Sequence, residues 1–228
     1  MDHRGHGASE PGAPPHTLRA CAADVRELLR SLNLRCDMMC GHSYGGKVAL
    51  AYVKAGLEDQ EGALGRGRSN SRAVLSPATH LFIPARPHQT KPNQTNPTTD
   101  AWEVPRQTWI LDSLPGAVHR DRAIGEHSVA AVIEALRRVP MPQPTKEGLV
   151  QHLTHAEKIP PFIAHWLMTS LQRQPGHGAA GGYVWAFDLD VVRALFRAYT
   201  EECFYDTLAS PFLAADSHHV DFIRAGKV

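Results

Sequence analysis

The sequence has almost no net charge, because 24 lysines and arginines face 23 aspartates and glutamates. A chain balanced in this way has no basic footprint for nucleic acid or for an anionic membrane. No apolar run approaches the roughly 20 residues that span a bilayer. The first residues, Met1 to Gly7, lack the apolar core of a secretory signal. We therefore expect no nucleic-acid partner and no membrane span, and the compartment stays undetermined.

Cysteine is also scarce, with four residues in 228. Cys36 and Cys40 bracket a predicted strand, which would hold them about 13 Å apart, too far for a disulfide. No C-x-x-C occurs, and the histidines are scattered. The run from Asp216 to His219 could ligate a metal on composition alone, but adjacent histidines on a solvated loop explain it better. The sequence predicts a reduced protein with no metal and no cofactor.

One stretch carries a catalytic pattern. A short apolar run, Met38 to Cys40, meets Gly41-His42-Ser43-Tyr44-Gly45, and a helix-compatible run from Lys47 to Lys54 follows. Strand, G-x-S-x-G and helix is the order of a nucleophile elbow. The serine needs a strained, tight turn there, so we expect Gly41 and Gly45 to remove side chains that would clash. The alternative interpretation is a serine N-cap on an ordinary helix.

The flanking segments give the stretch its resemblance. A Gly-punctuated loop, D-x-R-G-x-G-x-S from Asp2 to Ser9, precedes a predicted helix that begins after Thr17 and ends near Asn33. With the G-H-S-x-G-G-K at the elbow, this resembles the α/β-hydrolase superfamily. The continuation Lys47-Val48-Ala49, the run Leu111 to Gly116, Trp185 and Phe187 to Asp190 are similar to the α/β-hydrolase domain protein 11 subfamily, in its plant and algal branch.

The resemblance implies an α/β class protein: a partial α/β-hydrolase fold, truncated at both ends, with a fragment of the parallel sheet and a helical cap. Residues 56–107 depart from the family's pattern and are expected to form a long low-complexity insert. The expected divisions are a core with the elbow (1–55), a disordered insert (56–107), a core strand and loop (108–120), the cap (121–207), and the last core strand with a tail (208–228). The insert is expected because its composition is rich in Pro, Asn, Thr, Gln and Arg-Gly pairs.

Helical periodicity fills the cap region. The predicted helices start near Ala123, at Lys146 (to Leu153), at Pro161 and at Val191 (to Thr200), the last capped by Asp188 or Asp190. The helix from Pro161 is expected to bury Phe162, Ile163, Trp166, Leu167 and Leu171. Two short strands are predicted, one from Tyr183 to Phe187 and one from Pro211 to Ala214.

Ser43 is the candidate nucleophile, and a serine hydroxyl needs a positioned base oriented by a carboxylate. Three aspartates compete for the acid. Asp112 follows a predicted strand and is favoured, since open α/β sheets place their sites at that edge. Asp216 follows the strand predicted last, and Asp190 matches a family motif position although helix capping explains it.

The other catalytic groups are less complete. The Tyr44 backbone N–H is expected to donate to an oxyanion. The family places its histidine in a loop after the last strand, and no histidine here matches that motif. His218 and His219 fall at the acid's position, while His127, His152, His155, His165 and His177 lie in the predicted cap.

The function that follows is that of a serine-hydrolase-family protein, esterase- or thioesterase-like, which acts on small acyl esters through an acyl-serine intermediate. We expect it to be weakly active or inactive, because the catalytic histidine segment is missing. The alternative is a non-catalytic remnant or an acyl-binding module of the same fold, and an acyltransferase on this fold is a third option. The oligomeric state is not predicted.

Overall fold

The computed structural model describes residues 1–67, 102–118, 128–175, 181–213 and 218–226. The helices of these segments are α1 (Leu18–Ser31), α2 (Tyr44–Gly67), α3 (Val129–Arg138), α4 (Lys146–His155), α5 (Pro161–Leu167), α6 (Leu189–Glu201) and α7 (Tyr205–Leu208). The strands are β1 (Met38–His42), β2 (Gln107–Leu111), β3 (Leu171–Gln174), β4 (Gly182–Trp185) and β5 (His219–Ile223).

Three of these strands form a parallel sheet in the order β1-β2-β5. In the central strand β2, Thr108 and Ile110 are buried and their neighbours are partly exposed. This period-2 pattern fits a strand that packs one face against helices. The register joins His42 to Leu111 and Leu111 to Ile223, so all three strands end at the same edge.

The last strand lies later in the chain than the sequence predicted. Pro211 to Leu213 forms a turn, in which the Leu213 amide donates to the Ser210 carbonyl at 3.0 Å. The strand is His219–Ile223 instead. The prediction for 211–214 was wrong because an apolar run was weighed above its proline, which cannot donate a hydrogen bond to a neighbouring strand.

The predicted insert begins later than expected. Helix α2 continues through Gly56 to Gly67, and its residues Val53 and Leu57 form a small core with Val104. Trp102 packs on the Tyr52 ring, with ring centroids 5.3 Å apart, and lies under the Arg26 guanidinium. Both ends of the 56–107 segment therefore contribute packed structure, contrary to the prediction. Residues 68–101, with the strand considered between Val74 and Ile83, lie outside the described residues.

The helix boundaries follow local signals. The Thr17 hydroxyl accepts a hydrogen bond from the Ala20 amide, which caps α1 as predicted. The Asp188 carboxylate accepts from the amides of Asp190 and Val191, so Asp188 is the cap of α6. Helix α4 begins at Lys146 as predicted and ends at His155, two residues later than expected. Helix α3 begins at Val129 after the Ser128 cap, and Ala123, near which it was predicted to start, lies outside the described residues.

The cap region has a hydrophobic core of its own, built from α3, α4, α5 and the β3–β4 hairpin. Ala164 and Leu167 are the residues of α5 that it buries. Phe162 and Trp166 are 75% and 66% exposed, so the prediction that they are buried was wrong. Ala164 and Leu167, spaced three apart, fill the contact with the other helices. Phe162 therefore lies on the outer face of α5, and Trp166 lies at the open side of a cavity between the cap helices.

The main core lies between the sheet and helices α1, α2 and α6. The N-terminal half of α2 is buried almost completely, from Gly46 to Val53. Cys21 and Ala22 of α1 and Val191 and Leu195 of α6 complete the cluster. None of the helices among the described residues is long and apolar enough to span a membrane.

Candidate active site

Ser43 lies between β1 and α2, in a left-handed conformation with a φ of 52°. A non-glycine residue pays a steric cost there. The turn is held by two backbone hydrogen bonds: the Ser43 amide donates to the Leu111 carbonyl at 2.9 Å, and the Gly46 amide donates to the Ser43 carbonyl at 3.0 Å. The residue is exposed. A strained, exposed serine at a strand-to-helix turn is the arrangement that the motif predicts.

The glycines around Ser43 do not all have the role expected of them. A Cβ atom on Gly41 would lie 2.2 Å from the Gly45 carbonyl oxygen, and one on Gly46 would lie 2.7 Å from the Ser113 side chain. A Cβ on Gly45 would meet nothing within 4 Å. Gly41 and Gly46, not Gly45, are therefore the positions where close packing of α2 on the sheet excludes a side chain.

Asp112 stands beside Ser43 at the carboxyl edge of the sheet. Because His42 pairs with Leu111, the residues that follow them are neighbours on adjacent strands. Asp112 also has a positive φ, of 46°, and its amide donates to the Ile223 carbonyl at 2.7 Å. Among the described residues its carboxylate has no hydrogen-bond partner and it is exposed. A substrate or a third group at this edge would find both side chains accessible.

Tyr44 is the first residue of α2, so its amide has no acceptor within the helix. This free N–H and the positive end of the helix dipole face the same edge as Ser43. The Tyr44 side chain packs inward, with its hydroxyl 3.4 Å from the Cys21 sulfur. Burial raises the pKa of this phenol far above its ordinary value. The side chain anchors the helix start, and the backbone amide is the group left for a ligand.

The two other candidate acids stand differently. Asp190 lies in the first turn of α6, where its carboxylate is 2.8 Å from the Arg137 guanidinium and 80% exposed. That ion pair joins two cap helices and accounts for the residue. Asp216 lies outside the described residues, and it precedes β5 in the sequence rather than following the last strand, so the argument for it as the acid no longer holds.

The histidines considered as bases lie elsewhere. His219 pairs with Gln107, at the opposite edge of the sheet from Ser43. The His218 ring is 3.2 Å from the Pro105 carbonyl at that same far edge. His155 and His165 are exposed on cap helices. His127 and His177 lie outside the described residues. Among those that are described, no histidine ring is hydrogen-bonded to Ser43 or Asp112.

One histidine near the site was missed. The half-buried His3 ring meets the Tyr44 ring edge-on, with centroids 5.5 Å apart. Its Nδ1 is buried without a hydrogen-bond partner in the part of the chain that the structure describes. Burial, with the charge of His6 nearby, lowers the pKa of His3. Sequence reasoning gave the D-x-R-G-x-G loop no part in the site, although a loop rich in glycine and histidine was a signal.

Lys47 joins three segments around the site through hydrogen bonds from its buried ammonium. Its side chain is fully buried, and its ammonium donates to the carbonyls of Gly116, Tyr199 and Glu202 at 2.8, 2.6 and 2.8 Å. Burial lowers the pKa of this ammonium, and the nearby Glu202 opposes that effect. The three bonds join the helix after Ser43 to the loop after Asp112 and to the carboxyl end of α6, where a cation is favoured.

The described residues hold no group of three or more histidine, cysteine or carboxylate side chains that could bind a metal ion.

Comparison with known proteins identifies the family of this chain. The family model described as the alpha/beta hydrolase family matches residues 1–225. The chain belongs to this family. A comparison with curated protein sequences finds no match.

Solved structures resemble this family member in fold. A marine microorganism esterase has a TM-score of 0.58 at 15% identity, with 98% of this chain and 74% of that chain covered. An E-2-(acetamidomethylene)succinate hydrolase has a TM-score of 0.48 at 14% identity, with 98% and 60% covered. At such identities the likeness shows the fold alone. The likeness to the esterase, together with the family model, confirms the α/β-hydrolase fold that the sequence resemblance implied.

Proposed function

We propose that this protein is a serine hydrolase, esterase- or thioesterase-like, in which Ser43 is the nucleophile and Asp112 the acid. The observation that carries the proposal is the position of Ser43: strained, exposed, between β1 and α2, and next to Asp112 in the sheet register. The family assignment supports a small-molecule substrate, which we take to be an acyl ester or thioester. The residues Lys47 to Ala49 and Leu111 to Gly116 further favour the α/β-hydrolase domain protein 11 subfamily.

The proposed reaction has two steps. The Ser43 hydroxyl oxygen attacks the carbonyl carbon of the ester, while its proton passes to a base and negative charge builds up on the carbonyl oxygen. The Tyr44 amide donates to that oxygen. The carbon–oxygen or carbon–sulfur bond then breaks, and the leaving alcohol or thiol takes up a proton. Water hydrolyses the acyl-serine in the second step and returns the serine hydroxyl.

The proposed reaction needs a general base that takes the proton of the Ser43 hydroxyl. No described histidine ring is hydrogen-bonded to Ser43, and a serine without a general base is a poor nucleophile. We therefore expect slow turnover of small esters. This is also the observation that favours the second candidate, a non-catalytic remnant or acyl-binding module that keeps the fold and the strained serine without the chemistry.

Covalent labelling distinguishes the two. The purified protein is treated with a fluorophosphonate, and its intact mass is compared with that of the Ser43→Ala variant treated alike. A hydrolase should gain one adduct, mapped to Ser43 and lost in the variant. In parallel, hydrolysis of p-nitrophenyl acetate should be slow yet faster than in the variant. If the parent protein gains no adduct and hydrolyses the ester at the same rate as Ser43→Ala, the protein is a non-catalytic remnant or an acyl-binding module.

A further inference from the structure

The cap region forms a cavity of about 480 Å³, open to solvent on the side where Val129 and Trp166 lie, and none of the residues proposed for catalysis lines it. Its volume lies in the range of sites that hold small ligands. Helices α3, α5 and α6 supply most of the lining, and the Phe187 ring closes one side. Of the described side chains that line it, only His6, Ser170 and the indole N–H of Trp166 offer polar groups. A ligand that fills this space must be apolar along nearly all of its length.

The walls of the cavity are held in place without a ligand. Two ion pairs join α3 to α6, one from Arg193 to Glu134 and one from Arg137 to Asp190, both of 2.8 Å. The Phe187 ring is stacked on Trp185, with centroids 5.6 Å apart. A preformed site loses less conformational freedom on binding than one that must be ordered by its ligand.

The polar end of the cavity lies on the N-terminal loop. The His6 backbone pairs with Phe187, flanked by hydrogen bonds from the Gly7 amide to Ala186 and from the Asp188 amide to Gly5, both of 2.7 Å. The His6 Nδ1 lies 3.1 Å from the Arg4 carbonyl, an acceptor, so Nδ1 carries the hydrogen. In a neutral ring Nε2 is then an acceptor. Among the described residues nothing donates to it.

We propose that this cavity binds a single alkyl chain with a hydrogen-bond donor at one end, as in a medium-chain alcohol. The chain lies against Ile133, Leu136 and Leu167, and its end group donates to Nε2 of His6. The site goes beyond the proposed hydrolysis and does not depend on it, because neither Ser43 nor Asp112 lines the cavity. The His3–Tyr44 ring contact places the loop that carries His6 beside the proposed active site.

The test measures binding of a series of straight-chain alcohols to the Ser43→Ala protein by isothermal titration calorimetry. Each added CH₂ should tighten binding about fourfold. The gain should stop at the chain length that fills the cavity. An apolar surface patch would give no such limit. Binding that does not depend on chain length, or that tightens without a limit, overturns the proposal.

Two variants locate the site. Val192→Trp places a large ring in the cavity from α6 and should weaken binding at least tenfold. Phe162→Ser changes the exposed face of α5 outside the lining and should leave binding unchanged. If Val192→Trp does not fold, as judged by circular dichroism and thermal unfolding, Val132→Phe replaces it. Loss of binding in Phe162→Ser with retention in the cavity variant would instead place the ligand on the outer face and overturn the assignment.

A third measurement identifies where the chain comes from. If the KM of p-nitrophenyl esters falls along the same chain-length series and the cavity variant abolishes the trend, the alkyl chain belongs to the substrate. If free alcohol changes acetate-ester turnover while ester chain length has no effect, the chain is a separate ligand. Either result is consistent with an alkyl-binding site in this cavity. If no ester is hydrolysed at all, the proposed function is contradicted, but the binding of alcohols still tests the cavity.

Discussion

The backbone amide of Ser43 donates to the carbonyl of Leu111, 2.9 Å away, across the end of two parallel strands. This bond continues the pairing of β1 with β2 by one residue and brings Ser43 level with Asp112. Both residues have positive φ angles, so the two chains leave the sheet edge through similar turns. Strain at two neighbouring polar residues of one edge is typical of a functional site.

Replacing Asp112 by Asn should lower the Ser43-dependent hydrolysis of p-nitrophenyl acetate at least about tenfold. The loss should stay below the ~10⁴-fold that a complete triad shows, because no base is hydrogen-bonded to Ser43. The matched control is Asp190→Asn, whose carboxylate pairs with Arg137 in the cap. Rates of both are compared with Ser43→Ala to subtract background. A loss of hydrolysis rate seen only in Asp190→Asn would mean that Asp190 in the cap, and not Asp112, is the acid.

The glycines of the elbow should differ in tolerance. Gly41→Ala forces a Cβ against the Gly45 carbonyl and should lower the free energy of unfolding by about 2 kcal/mol or more. Gly45→Ala has open space and a negative φ in the first turn of α2, so it should raise stability by roughly 0.5–1 kcal/mol. Urea unfolding measures both. Equal destabilisation by the two substitutions would contradict the packing described.

The positions of Ser43 and Asp112 at the ends of neighbouring strands could be predicted from the sequence, because local rules fix them: a strand, a strained turn, and a polar residue directly after a strand. Their catalytic roles stay predictions. The last strand was misplaced because β5 is mostly exposed and is held by its backbone pairing with β2, which local periodicity does not reveal.

Long-range contacts explain the other errors. Trp102 belongs to the core through Tyr52 and Arg26, which lie far away in the sequence, so composition placed it in a disordered insert. Phe162 and Trp166 were expected inside because apolar periodicity does not say which face of a helix is covered. His3 entered the site only through the Tyr44 ring, a contact that no spacing in the chain indicates.

Lys47→Met should destabilise the protein by about 3 kcal/mol or more, because it keeps the buried stem and removes the donor for three carbonyls. The control is Lys54→Met on the same helix. The Lys54 ammonium is 3.5 Å from Glu202 and its side chain is 37% exposed, so the loss should be under about 1 kcal/mol. Thermal and urea unfolding of both variants give the comparison. Similar losses in the two would mean that the buried bonds of Lys47 contribute little.

His3 should make stability depend on pH in the acid range. Burial lowers the pKa of His3 below its ordinary value of 6.5. Between that value and the lowered pKa, the unfolded state carries a proton on this ring that the folded state does not. Acidification therefore favours unfolding, and the His3 contribution to stability is full above pH 6.5 and is lost as the pH falls toward the lowered pKa.

The free energy of unfolding, measured at a series of pH values, should fall less steeply with acidification in His3→Gln than in the parent protein. His165→Gln, at an exposed cap position, should keep the parent's slope. A parent slope retained in His3→Gln would mean that the His3 ring is protonated in the folded protein as readily as in the unfolded chain, and that its buried Nδ1 is solvated.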